Sequence, residues 1–424
     1  MPQVLFIAAF DSQLKWCSQI RTELEGRGFS SRVVVPDIRS ALSKSQIADA
    51  GFAEVERIGW EETLVQAAAS DVVVCALSGP VTKGWTIALS ELVCREGRTG
   101  PVLITGWVGI IIEKATAGYL DRCGSDIVAV NSVEDLQQFR RVADRLGLPA
   151  GNLQLTGLPF LSGQPADNPL SPIRRVLFAD QPTVPSRPVE RSYLYQKLIE
   201  YARAHPDREV LLKPRHRPGE DTFHRMLHHP ETLLAGVTVP PNFRIDYTPV
   251  SVILPTVDLL VTMSSTACLE AIDHGCRVAL VLDLGIHERY GNHVFLDTGL
   301  LRTFSQIERD EIGSIAQEWQ DSYFFSDDRS ATQILADRAE ELLASGERPS
   351  REVWASTYYR SAAEFHRSTD CVAASGGRAA AGSLRSRIDR HGSVKGAVAH
   401  LSYTVVPPAL NGPLRSMAKK VGLL

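Results

Sequence analysis

The sequence lacks every short motif that would name a chemistry by itself. There is no GxxxxGK[ST] loop, no GxGxxG after the first apolar run, no HExxH and no GxSxG. Kinase, dehydrogenase, zinc protease and α/β-hydrolase readings therefore lose their main support. No DxD-type acidic pair follows a predicted strand to hold a divalent ion on a diphosphate; Asp327 and Asp328 stand in a polar loop instead. His224, His228 and His229 have no carboxylate or cysteine partner at useful spacing, so no metal is expected. The seven cysteines include no CxxC pair and read as core thiols in a reducing compartment. No apolar run reaches the roughly 18 residues of a membrane helix. The apolar start MPQVLFIAAF lacks a basic n-region and meets Asp11, so it reads as a first strand and the working compartment as the cytoplasm. With 45 basic and 49 acidic residues the net charge is −4, which gives no drive toward nucleic acid.

What is present is a repeated alternation. The chain has 424 residues, enough for two or three domains. Short β-branched runs at 4–10, 32–36, 71–77, 101–106 and 126–130 alternate with helical patterns at 12–27, 60–69, 83–96 and 132–146. This is the signature of βαβ units around a parallel sheet. Between Gly147 and Pro172 the composition turns to Pro and Gly, as in a linker. The alternation then restarts with strands at 174–180, 208–214, 258–263 and 277–283 and helices at 188–204 and 265–274. Helical patterns at 304–319, 331–345 and 350–367 follow. The expected organisation is an α/β domain over 1–160, a second over 161–345, a C-terminal helical segment over 346–377 and a basic tail over 378–424. That tail carries eight Lys or Arg against one acidic residue, which suits loose attachment to an anionic membrane surface. A disordered solubilising tail is the alternative reading.

Two α/β domains joined by one linker leave a cleft, and ligands of parallel sheets bind beyond the carboxyl ends of strands. The residues just after each strand are therefore the place to look. Ser264, Ser265 and Thr266 follow DLLVTM and open a helix, where hydroxyls and free N–H groups favour an anion; an ordinary helix cap is the bland alternative. Glu270, four residues past Thr266, is placed to reach a ribose. LLKPRHRPGE crowds Lys213, Arg215, His216 and Arg217 at another strand end, a concentration of cations suited to a diphosphate. In the first domain Asp11 follows the opening strand, as a helix cap or as a general base, and Lys15 lies one turn on. TGWVGIIIEK brings Trp107, as an aromatic wall for a sugar or a packed core residue, and Gly106 and Gly109, which allow close backbone approach.

KPRHRP after a strand, followed by DLLVTMSSTACLEAIDHGCRVALV, resembles the paired motifs of metal-independent GT-B glycosyltransferases of bacterial surface polysaccharide synthesis. Those include the sialyltransferase, polysialyltransferase and capsule-type transferase groups. FDSQLKW, GWVGIIIEK and TGLPF also resemble a group of uncharacterised actinobacterial glycosyltransferases, over about residues 1–345. The resemblance implies a GT-B fold of two Rossmann-like domains facing across a cleft, the first on the acceptor side and the second binding the nucleotide-sugar. It implies His216 near the donor phosphate, Lys213 and Arg215 as phosphate ligands, Ser264, Ser265 and Thr266 in the Ser-Ser/Thr role and Glu270 on the ribose. Asp11 takes the place of the base, with Lys15, Trp107 and Gly109 on the acceptor side. The expected activity is inverting transfer of a CMP- or CDP-activated sugar to an envelope glycan or glycolipid, with no cofactor beyond the donor. A nucleotide-sugar 2-epimerase and a non-catalytic scaffold of the same architecture are the alternatives.

Overall fold

The computed structural model describes residues 1–37, 42–162, 172–220, 226–325 and 329–375. Asp327 and Asp328, His224, part of the linker and the basic tail lie outside the described residues. The chain divides into two compact units. Met1–Tyr359 holds both sheets, and the described part of Arg360–Leu424 continues the Thr357–Ser375 helix. None of the helices among the described residues is long and apolar enough to cross a membrane.

The first sheet is built from β1 (Gln3–Ile7), β2 (Ser30–Pro36), β3 (Glu56–Ile58), β4 (Val72–Cys75), β5 (Val102–Gly106), β6 (Ile127–Val130) and β7 (Leu153–Leu155). All pair in parallel, in the order β3-β2-β1-β4-β5-β6-β7. The second comprises β8 (Arg175–Ala179), β9 (Glu209–Lys213), β10 (Phe243–Ile245), β11 (Leu259–Thr262), β12 (Arg277–Val281) and β13 (Leu301–Arg302). It too is parallel, in the order β10-β9-β8-β11-β12-β13. Each sheet is doubly wound, so its strand order reverses between the first and fourth strands, which is where open parallel sheets hold ligands. With their helices the two sheets form two lobes of GT-B type.

Period-two alternation decides which face each side chain joins. In the first lobe Phe6, Val74 and Ile104 pack with Leu14, Trp16 and Ile20 of the helix Asp11–Gly26. Leu5, Ile7 and Val73 pack on the other face with Trp85, Leu89 and Val93 of the helix Gly79–Arg95. In the second lobe Leu177, Leu211 and Leu260 face Cys268 and Leu269, while Phe178, Val210 and Val261 face Leu194, Tyr195 and Leu198. Cys17, Cys75, Cys123, Cys268 and Cys276 are buried, Cys94 is exposed, and all six are free.

Three expectations need correction. The helix Ala331–Ser345, grouped above with the second domain, buries Leu335, Ala336, Ala339 and Leu342 in the core of the first sheet. Arg27 of the first lobe binds Asp337 and Glu340 of that helix at 2.6 and 2.8 Å. The apolar stripe is the same wherever the helix docks, so periodicity alone does not choose the partner. The pattern at 304–319 is likewise no single helix, but two short ones, Phe304–Glu308 and Gln317–Tyr323. Asp310 between them takes a left-handed φ of 57° and is anchored by Arg208 at 2.7 Å. Residues 346–359 also belong with the first lobe. The indole of Trp354 donates to Gly124 O at 2.8 Å, and the Ser350 amide donates to Asp126 at 3.0 Å.

Leu335→Ala is expected to destabilise the protein by about 2–5 kcal/mol through the cavity it leaves. Urea unfolding checks this, and a loss under 1 kcal/mol would mean that the returning helix is not part of the core.

Candidate active site

The carboxyl ends of β1, β9 and β11 meet across the cleft. Asp11 is the first residue of its helix, and the cap position is Phe10, which offers no side-chain cap. The carboxylate is thus left to turn outward, and both its oxygens accept from Arg215 Nη2, at 3.0 and 2.8 Å. Burial pushes the Asp11 carboxyl up. The Arg215 charge and hydrogen bonds, the Ser12 amide and Lys15 together outweigh burial and hold it below the usual carboxylate value. Asp11 is accordingly an ionised, paired carboxylate.

Lys213 is the last residue of β9 and is buried. Its amine is pulled down to about 8, first by burial and then by Lys15 and Arg215, with Asp246 and Asp49 opposing. Among the described residues no carboxylate lies within ion-pair distance of Lys213 or Lys15. Glu270 is raised by burial, with Lys15 as the opposing charge. Asp11, Lys15, Lys213, Arg215 and Glu270 thus form one electrostatic cluster drawn from both lobes.

Three expected roles are not supported by the geometry. His216 is buried with both ring nitrogens engaged by backbone: Nδ1–H donates to Arg217 O at 2.9 Å and Nε2 accepts from the Met226 amide at 3.1 Å. The ring staples its loop and has no nitrogen left for a phosphate. Ser264 is also buried, and its hydroxyl donates to Tyr290 O at 2.5 Å while its amide donates to Gln181 Oε1 at 3.0 Å. Its hydrogen is spent inside the protein. Trp107 is stacked on Phe139 at 4.9 Å, with the Arg122 guanidinium 4.5 Å from its ring centroid. Its faces are taken, so it is packing rather than a wall for a sugar.

Ser265 and Thr266 keep their donors. Ser265 Oγ accepts from the Ala267 amide at 3.2 Å, and Thr266 Oγ1 accepts from the Ile110 amide of the other lobe at 3.3 Å. Each hydroxyl therefore retains its own hydrogen. Gly109 makes the approach of the lobes possible, because a Cβ there would lie 2.6 Å from Thr266 Oγ1.

Sequence reasoning missed two contacts that join elements around the site. The segment after β12 places Gly291, at φ 68°, where a Cβ would come within 2.7 Å of Ile112 and 3.2 Å of Ser264 Oγ. Gly285 and Gly291 bracketing a polar stretch after a strand were the available signal. Glu220 accepts from Ser43 and Ser45 across the cleft at 2.9 and 2.6 Å and from the Arg217 amide at 3.0 Å, a second clasp on the basic loop. A buried network stands behind the site, in which Arg191 grips Asp180 at 2.9 and 3.0 Å and also donates to Gln181 O.

A model of the family described as "Putative glycosyltransferase (DUF6716)" matches residues 4–342. The chain belongs to this family. The match spans both sheets of the glycosyltransferase family member and most of the helix that returns to the first lobe. No curated protein matches the chain. Solved structures share its fold. The S. aureus MnaA–UDP co-structure is 12% identical, with a TM-score of 0.54 over 81% of this chain and 97% of that one. The UDP-GlcNAc 2-epimerase from Methanocaldococcus jannaschii is 11% identical, with a TM-score of 0.52 over 79% and 98%. At such identity the likeness establishes the two-lobed architecture alone.

Gly109→Ala is expected to lower the thermal midpoint by forcing Thr266 aside, at a cost of about 1–3 kcal/mol. Adding Thr266→Ala should recover most of that loss. Simple additivity of the two changes would show that the contact is not made.

Proposed function

We propose that the chain transfers a sugar from a nucleotide-activated donor, CMP- or CDP-linked, to an envelope glycan or glycolipid, with inversion. The observation that carries this reading is the convergence of Lys15, Lys213 and Arg215 from both lobes, with Asp11 as the one carboxylate in an ion pair with any of them among the described residues. Cations in excess beyond the carboxyl ends of parallel strands, one of them buried, suit a phosphate-bearing ligand. Lys213 and Arg215 would take its phosphate oxygens, and the remaining hydroxyl hydrogens of Ser265 and Thr266 would donate to the same group. Glu270 would accept from the ribose hydroxyls.

In the reaction the acceptor oxygen bonds to the anomeric carbon as the bond from that carbon to the phosphate oxygen breaks. Asp11 takes the acceptor proton, and the cations stabilise the charge left on the phosphate. Three cations and two hydroxyls supply that stabilisation without a metal ion in the scheme. The acceptor approaches from the first lobe, by Lys15 and the Gly109 loop. The protein works in the cytoplasm, and the basic tail over 378–424 gives peripheral attachment to the inner face of the plasma membrane.

Thermal unfolding with CMP, CDP, UDP and GDP tests the reading. A nucleotide at a hundredfold excess over its Kd should add about 2.7 kcal/mol, and Lys213→Ala with Arg215→Ala should abolish the effect. No stabilisation by any of the four would overturn the proposal. Product analysis without acceptor separates transfer from 2-epimerisation, since an epimerase converts the donor alone. Affinity should also be pH-dependent. The Lys213 ammonium is charged below about 8 and loses its proton above, so nucleotide binding should weaken as pH rises through 8 and Lys213→Arg should remove that step.

A further inference from the structure

Asp11 and Arg215 have opposite tasks in the proposed reaction, yet they are bound to each other. Arg215 Nη2 reaches both carboxylate oxygens across the cleft, from residues 204 positions apart in the chain. Asp11 is partly buried and Arg215 is exposed, and Lys15 and Lys213 stand beside the pair. We propose that Asp11 and the phosphate of the donor compete for Arg215, so that Asp11 becomes a free base only once the donor is in place. This rests on the nucleotide-sugar reading and adds an order of events to it.

The argument is electrostatic. A phosphate oxygen on Nη2 displaces the carboxylate directly. A phosphate on another edge of the same guanidinium still sets two anions against one another at close range, and the phosphate has the larger charge and two further cations in reach. Release from Arg215 removes the main influence holding the Asp11 carboxyl down, while burial, which pushes it up, remains. An acceptor hydroxyl arriving before the donor meets a carboxylate that is already paired. The second clasp, from Ser43 and Ser45 to Glu220, joins the same loop to the same lobe without engaging Arg215. It provides an internal control for both lobe opening and loss of a negative charge.

Titration calorimetry with pyrophosphate and with CDP, on the full chain, its Asp11→Asn variant and its Glu220→Gln variant, tests the competition. Pyrophosphate reads the anion site whatever the nucleoside. D11N is expected to bind both probes about 3- to 10-fold more tightly than the unaltered chain, as expected when a charged competitor is removed, and E220Q to stay within about twofold. Asp11→Ser serves as a second variant if the asparagine disturbs the fold. Equal or weaker binding by D11N would overturn the competition, and CDP binding to the unaltered chain would leave the functional reading standing. Equal tightening by E220Q would overturn it as well, since the effect would then be general. Tighter pyrophosphate binding by D11N with no CDP binding would support the competition and reject CDP as the leaving nucleotide. No binding of either probe to any of the three proteins would overturn both.

Discussion

The arrangement of the cleft depends on the chain returning to where it began. Leu335, Ala336, Ala339 and Leu342 complete one face of the first sheet, and Arg27 holds Asp337 and Glu340 at the edge of that contact. The second lobe is therefore tethered to the first at both of its ends. A single linker would leave the two strand-end edges to find one another by diffusion. Two connections restrict the relative motion enough for a threonine hydroxyl and a glycine backbone from opposite lobes to meet. Whatever the site does, it does with residues that this double attachment brings together.

Within the cleft, charge rather than shape is the organising quantity. Lys213 is buried at a strand end with no carboxylate partner among the described residues, and Lys15 and Arg215 add like charge beside it. Burying a cation without a partner is unfavourable unless something compensates. For Lys213 the more distant Asp246 and Asp49 supply part of that compensation, while Asp11 neutralises Arg215 from across the cleft and is held ionised by it. The same ion pair thus sets lobe contact, local charge and the protonation of Asp11. Glu270 complements this, because burial favours its neutral form and Lys15 its charged one.

The architecture was legible in the sequence wherever strands were long enough to show a buried β-branched run, as in β1, β4, β5, β8, β9 and β11. The short outer strands β3, β7, β10 and β13 were not, since two or three residues carry no period. Site residues followed the same division. That Lys213, Arg215, Thr266 and Asp11 would lie at strand ends was readable from the runs before them. That Arg215 pairs with Asp11, or that Thr266 meets Gly109, depends on tertiary geometry that no local pattern encodes. His216 and Ser264 show the converse. Their residue types suggested ligand contacts, but backbone groups had already claimed their polar atoms, within its own loop for the His216 Nδ1–H and from the segment after β12 for the Ser264 hydroxyl. Trp107 was subject to the same limit, because only packing reveals that Phe139 and Arg122 cover it.

In topological terms, the returning helix makes the second lobe an insertion within the first. Chimaeras that exchange this lobe between family members would therefore need two splice points, one on either side of the inserted segment. A single crossover near the end of β7 would pair the first sheet with a foreign closing helix whose apolar stripe was selected against a different surface.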